Sequence, residues 1–244
     1  MKYGFVYCFL TLILAACQFN SQPNTKNMNT QESPLFFKEI ADYTSRLESK
    51  FATIPAERKE ELANLAAFID TQLVQQKIPK IIFICTHNSR RSHFGQFWAS
   101  VAAHYYGIPQ VENYSGGTEV TAFNPRSVAA LQRAGFQITK IDSSSDSSNP
   151  RYAVTFMENQ QPLIGFSKKF GEDPNPKEGF CAVMTCSHAD QNCPLVLGAI
   201  ERIPLPYDDP KAFDNTPEET AKYDERCLQI ATEMFYAFSL VKKK

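Results

Sequence analysis

The chain has 244 residues, 43% hydrophobic and 21% charged, with a formal net charge of -1. That length and apolar content suit one buried core with extensions better than two full domains. A near-neutral charge gives no argument for a nucleic-acid footprint or a broad basic membrane face, so any anion has to be bound locally.

At the N-terminus Lys2 precedes an apolar run too short to span a bilayer comfortably, and the run ends Leu14-Ala15-Ala16-Cys17. This resembles a bacterial lipoprotein signal. The resemblance implies a signal peptide over residues 1–16, cleavage before Cys17, and lipid on the Cys17 sulfur and new amino terminus. The protein would then be anchored in the cell envelope, on the periplasmic or outer side of a membrane; without a functioning signal it would be cytoplasmic. Residues 17–33 are polar, lack apolar periodicity and read as a tether. Of seven cysteines, cleavage leaves six and lipidation of Cys17 leaves five, an odd number that cannot all pair within one chain.

Phe37, Ile40, Tyr43, Leu47 and Phe51 recur at helical spacing, and Leu62, Leu65, Ile69 and Leu73 do so after Pro55. Residues 34–78 are therefore expected to form a helical extension packed on the main domain. Lys80 to Cys85 is a continuous apolar run rich in β-branched residues, the pattern of a buried parallel strand. A helix should start near Ser92, bury Phe94, Phe97 or Trp98, Val101 and Tyr105, and stop at Gly107. Val111 to Gly117 reads as a second strand, and Asn124-Pro125 as the cap and first turn of a helix ending at Gly135.

Beyond a polar break at residues 141–150, Arg151 to Phe156 and Pro162 to Ser167 read as the strands of a hairpin or an irregular pair, with a turn-rich loop after them. Phe180 to Cys186 is another buried strand, and Ile200 to Tyr207 a short one leading into Asp208-Asp209-Pro210. Thr216 to Glu219 has the form of a capping box opening a last helix, with Tyr223, Cys227, Ile230, Met234 and Phe238 on its inner face. Strands alternating with helices over residues 79–244 predict an α/β domain with a parallel sheet.

The chemistry concentrates in Cys85-Thr86-His87-Asn88-Ser89-Arg90-Arg91-Ser92. A loop from a strand to a helix N-terminus turns backbone N–H groups toward one point, where the helix dipole adds positive charge. Such a loop can hold a tetrahedral oxyanion. A cysteine there is expected to have a lowered pKa, Arg91 can clasp two anion oxygens, and Ser92 can donate to the sulfur. Asn88 and Ser89 suit tight loop geometry and can pin the loop through their side chains. The loop alone leaves a buried strand-end thiol and a surface arginine pair equally open.

These residues resemble the low-molecular-weight protein tyrosine phosphatase superfamily, whose loop reads Cys-x-Gly-Asn-x-Cys-Arg-Ser, and within it the thioredoxin-coupled arsenate reductases. Three further segments carry the likeness in the same order: Ser115 to Phe136, Val183 to Pro194, and Tyr207 to Phe213. The resemblance implies a parallel-sheet, Rossmann-like three-layer α/β fold with the helical extension added. It makes Cys85 the nucleophile, Arg91 the oxyanion clamp and Asp209 the general acid. Cys186 would attack the arsenylated Cys85, and Cys193 would then attack Cys186 and carry the disulfide outward to a thioredoxin-like reductant across the polar loop Ser187 to Asn192. No bound cofactor, metal or nucleic acid is implied, and the chain is expected to act as a monomer on a small oxyanion or phosphorylated substrate.

His87 stands where the family prefers glycine, which questions the loop geometry, and Arg90 where it often has another cysteine. Gln96 replaces an acid found near a potassium site in some members, so no potassium is carried over. Cys181 and Cys227 lie on apolar faces and read as packing residues. His93 and His188 come without metal-ligand spacing. The expected activity is an arsenate reductase with a three-cysteine relay. Phosphomonoester hydrolysis through a phosphocysteine is the alternative, and a non-catalytic oxyanion-binding lipoprotein the second.

Overall fold

The structure is a computed structural model that describes residues 1–4, 35–141, 148–192 and 195–242. The expected lipidation site Cys17, the expected tether, most of the expected leader and Cys193 lie outside the described residues. Residues 33–244 form one compact unit. Among the described residues, no helix is long and apolar enough to cross a membrane.

In chain order the elements are α1 (Lys38–Thr44), a 3-10 helix (Glu48–Thr53), α2 (Ala56–Val74), β1 (Lys80–Cys85), α3 (Arg91–Tyr105), β2 (Glu112–Gly117) and α4 (Pro125–Arg133). Then follow β3 (Gln137–Lys140), β4 (Tyr152–Thr155), β5 (Leu163–Gly165), β6 (Phe180–Met184), α5 (Ser187–Asn192), β7 (Ala199–Pro204), a second 3-10 helix (Pro210–Phe213) and α6 (Glu219–Ser239). Four strands make a parallel sheet in the order β2-β1-β6-β7, and β3-β4-β5 make a separate antiparallel one.

The apolar run in β1 is continuous because both of its faces are covered. Ile81 and Phe83 join the larger core with α2, α3 and α6, whereas Ile82 and Ile84 join a smaller core with Phe180, Met184, Cys186 and Ala189. The N-terminal helices share the larger core through Ile40, Leu47, Leu62, Leu65 and Ile69. α3 lies directly on β1 because Gly95 has no side chain there; a Cβ would stand 2.5 Å from Cδ1 of Phe83. Phe94, Phe97, Trp98 and Val101 are all fully buried, and the helix is covered nearly all round. Tyr105 is the exception to its expected face, at 38% exposed.

Four expectations need correction. The helix drawn through Phe37 to Phe51 is two pieces, since Thr44, Ser45 and Ser49 turn their hydroxyls onto the carbonyls of Ala41, Asp42 and Arg46 and compete with the helical ladder. The box at Thr216 does not cap α6, because the Thr216 hydroxyl donates to Phe213 O and the Glu219 carboxylate accepts from the Asn215 N–H; the helix opens at Glu219. The polar loop Ser187 to Asn192 is α5. The hairpin gains a third strand, β3, in which only Ile138 is buried and no alternation marks it.

The contact beneath Gly95 is testable. Gly95→Val forces a branched side chain into the fully buried Phe83 ring and is expected to lower unfolding stability by roughly 2–3 kcal/mol. Urea midpoints measure it; an unchanged midpoint would mean α3 can lift from β1 at no cost.

Candidate active site

The parallel register Ile81↔Cys181 to Ile84↔Met184 brings the C-terminal ends of β1 and β6 side by side. Thr185 extends the pairing by donating its N–H to Ile84 O at 2.7 Å. β1 sits where the chain order reverses across the sheet, with β2 on one side and β6 on the other, and such a switch point opens a crevice at the strands' carboxyl ends. Cys85 and Cys186 stand at that edge, 3% and 1% exposed.

The loop after Cys85 is pinned from inside. Ser92 Oγ lies 3.1 Å from Cys85 Sγ, and Asn88 Nδ2 donates to the same hydroxyl at 2.9 Å. Asn88 Oδ1 in turn accepts the Lys168 N–H at 2.9 Å. Asn88, not His87, carries the positive φ, at 44°. Histidine where glycine is usual therefore imposes no left-handed backbone. His87 instead faces Glu119, Nε2 to Oε2 3.3 Å, while its carbonyl accepts from Ser167 and Thr121 hydroxyls. Ser89 contributes its carbonyl, which accepts the Asn124 N–H, rather than its hydroxyl. Gly117 allows the close approach of β2, since a Cβ there would meet Asn88 N at 2.7 Å and Thr86 O at 2.8 Å.

The two arginines diverge. Arg91 opens α3 and donates through Nη1 to Tyr207 O and through Nη2 to Asp209 Oδ2, both at 2.8 Å. Its Nε is buried with no acceptor among the described residues, as suits a guanidinium that still has a donor for an oxyanion. Arg90 points into the acidic loop instead of adding charge at the sulfur. Its Nε donates to Tyr223 Oη at 2.9 Å and lies 3.8 Å from Asp209, and Tyr223 donates to Asp214 at 2.8 Å. Burial, together with that bond to Asp214, raises Tyr223 to about 12, so it remains a phenol donor at neutral pH. A cavity of about 250 Å³ lined by His87, Ser89, Arg90, Thr121, Asn124 and Lys211 flanks the loop.

At the second thiol, Cys186 Sγ lies 3.4 Å from Thr86 Oγ1 and accepts the Ala189 N–H at 3.3 Å. His188 Nδ1 is 3.3 Å from the same Thr86 hydroxyl. Cys181 and Cys227 are buried in the core; burial raises both thiols, Cys227 to about 12, which suits packing and not reactivity. Spacing brought attention to Cys85 and Arg91 and the family resemblance to Cys186 and Asp209, and all four lie at one edge. Tyr223, Asp214 and Lys168 were not foreseen, because nothing in their sequence neighbourhood marks them.

Lys168 is 3% exposed, with its Nζ 4.8 Å from the centre of the Phe166 ring and no anionic partner among the described residues. Burial lowers its pKa from 10.5 to about 8. Desolvation, reinforced by Lys168, likewise keeps His93 well below the usual histidine range, stacked on Phe123 at 4.0 Å.

No protein-family model matches the chain. It is 28% identical over 130 residues to arsenate reductase 2 of Staphylococcus haemolyticus, a span of 53% of this chain and 77% of that protein. A low molecular weight phosphotyrosine phosphatase structure from Vibrio cholerae superposes with TM-score 0.44 and 10% identity, covering 65% of this chain and 93% of its own. The thioredoxin-dependent arsenate reductase of Corynebacterium glutamicum does so with TM-score 0.39 and 18% identity, covering 84% and 86%.

The Lys168 environment fixes the sign of a pH effect. Because the folded-state value is depressed, the unfolded chain binds the proton more tightly, and stability rises with pH between about 8 and 10.5. Below that window the buried charge costs the fold roughly 2–3 kcal/mol. Lys168→Met should therefore be more stable than the parent in urea melts at neutral pH, and the difference should shrink as pH rises through the window. A less stable variant at neutral pH would show that the ammonium has a compensating partner.

Proposed function

We propose that this protein is an arsenate reductase-like enzyme in which Cys85 is the nucleophile and Cys186 the thiol that resolves its adduct. The observation that carries the reading is the placing of Cys85 and Cys186 on adjacent strand ends beside Arg91, in a chain similar to a protein named arsenate reductase.

The Cys85 thiolate attacks arsenic, and Arg91 holds two of the arsenate oxygens as charge builds on them. Its Nε is available from the start, whereas Nη2 has to leave Asp209. That exchange frees the Asp209 carboxylate, which takes up a proton from solvent and passes it to the oxygen that departs as water. Ser92, anchored by Asn88, steadies the sulfur. Cys186 then attacks Cys85, arsenite leaves, and a Cys85–Cys186 disulfide remains.

Passage of that disulfide to Cys193 requires α5 to unwind. The six residues of α5, which lie between the two cysteines in sequence, already rise about 9 Å along the helix axis, whereas a disulfide needs Cα atoms within about 7 Å. A thiol reductant of the thioredoxin type restores the dithiol. Lipid on Cys17 would place this cycle in the envelope and demand an exported thiol donor. The intact mass of the membrane-extracted chain tests that attachment.

Cys85, Arg91 and Asp209 would equally serve phosphomonoester hydrolysis, and Asp209 hydrogen-bonded to Arg91 is the observation that favours this second reading. The two readings separate by variant. With arsenate and a thioredoxin system, arsenite production is expected in the parent and at least ~100-fold less with Cys85→Ser or Cys186→Ser. Aryl phosphate hydrolysis that survives Cys186→Ser and Cys193→Ser but not Cys85→Ser, with no arsenite formed, would replace the reductase by the phosphatase. On oxidation by arsenate, amide hydrogen exchange across α5 should accelerate; unchanged protection in a Cys186–Cys193 oxidised chain would contradict the unwinding step.

A further inference from the structure

We propose that His188, acting through the Thr86 hydroxyl, is the terminal acceptor of the Cys186 proton; the inference rests on the reductase reading above. Cys186 has to attack as a thiolate, yet at 1% exposure it has no direct route for its proton into water. The Thr86 hydroxyl bridges the gap, 3.4 Å from Cys186 Sγ and 3.3 Å from His188 Nδ1. His188 itself is exposed and can pass the proton on to solvent.

The surroundings suit this division of labour. The Thr86 carbonyl is occupied by the Thr118 hydroxyl and the Glu119 N–H, which fix the backbone and leave its side chain to the relay. Cys85 uses a different hydroxyl, that of Ser92, so the two thiols do not compete for one partner. The carboxylate on the same helix, Asp190, is held by Arg202 at 2.6 Å. The Ala189 N–H on Cys186 Sγ stabilises the anion once formed.

The step balances as follows. As Cys186 sulfur bonds to Cys85 sulfur, the S–As bond breaks and its electron pair goes to arsenic, reducing As(V) to As(III). The two thiol sulfurs supply the two electrons and become the disulfide. The Cys186 proton passes to Thr86 Oγ as the Thr86 proton passes to His188 Nδ1, with the other imidazole nitrogen already carrying hydrogen.

The test uses the full chain with Cys193→Ser, so that the Cys85–Cys186 disulfide accumulates after one addition of arsenate and is counted by mass spectrometry in quenched samples. His188→Ala is expected to slow its appearance roughly 100-fold, with part of the rate restored by added imidazole. His188→Gln, which can accept the Thr86 hydrogen bond but cannot carry the proton away, should stay slow, and Thr86→Val should be slow and insensitive to imidazole. A His188→Ala rate within about twofold of the parent, or a normal rate in His188→Gln, overturns the relay while leaving the reductase intact. Absence of the disulfide in the Cys193→Ser parent itself overturns the reductase reading and the relay with it.

Discussion

The site depends on one pairing, that of β1 with β6. Its parallel register carries Cys85 and Cys186, a hundred residues apart in sequence, to neighbouring positions at one edge of the sheet. Both strands are buried on both faces, so slipping the register would misplace every apolar contact in the two cores at once. The same burial that stabilises the sheet therefore positions the chemistry. Gly95 and Gly117 serve this frame, the first by letting α3 rest on β1 and the second by letting the end of β2 close against the Cys85 loop.

Around that edge the charges are arranged by geometry more than by number. Two adjacent arginines diverge at the start of α3: Arg91 turns toward the anion position and Asp209, Arg90 toward Tyr223 and Asp214. The consequence is a loop tied to the acidic segment after β7 at two points. Asp209 lies between both guanidiniums, 2.8 Å from Arg91 and 3.8 Å from Arg90, so one carboxylate ties both arginines to the segment after β7. The two thiols have separate partners, Ser92 Oγ for Cys85 and Thr86 Oγ1 for Cys186.

Much of the fold was legible because burial writes itself into residue type. The run Lys80 to Cys85, the strand Phe180 to Met184 and the inner face of α6 were all recognisable, and Tyr223, Cys227, Ile230, Met234 and Phe238 are all buried as expected. What misled were local polar groups with more than one available partner. Serine and threonine hydroxyls broke the first helix, Thr216 donated back to Phe213 O and accepted the Glu218 N–H ahead of a helix that opens only at Glu219, and Ser187 to Asn192 formed a helix that its polarity concealed.

By itself the sequence determined the chemical inventory: a thiol at a strand end, an arginine six residues on at a helix start, two further cysteines and an Asp-Pro turn. It determined the parallel α/β class as well, since apolar runs and helical periods follow directly from what each element must bury. The tertiary structure alone decided which atoms meet. It assigned the left-handed backbone to Asn88 rather than His87, sent Arg90 away from the sulfur, and joined His188 to Cys186 through Thr86. Those outcomes depend on side-chain direction and on contacts across about a hundred residues of chain, and neither is encoded in local spacing.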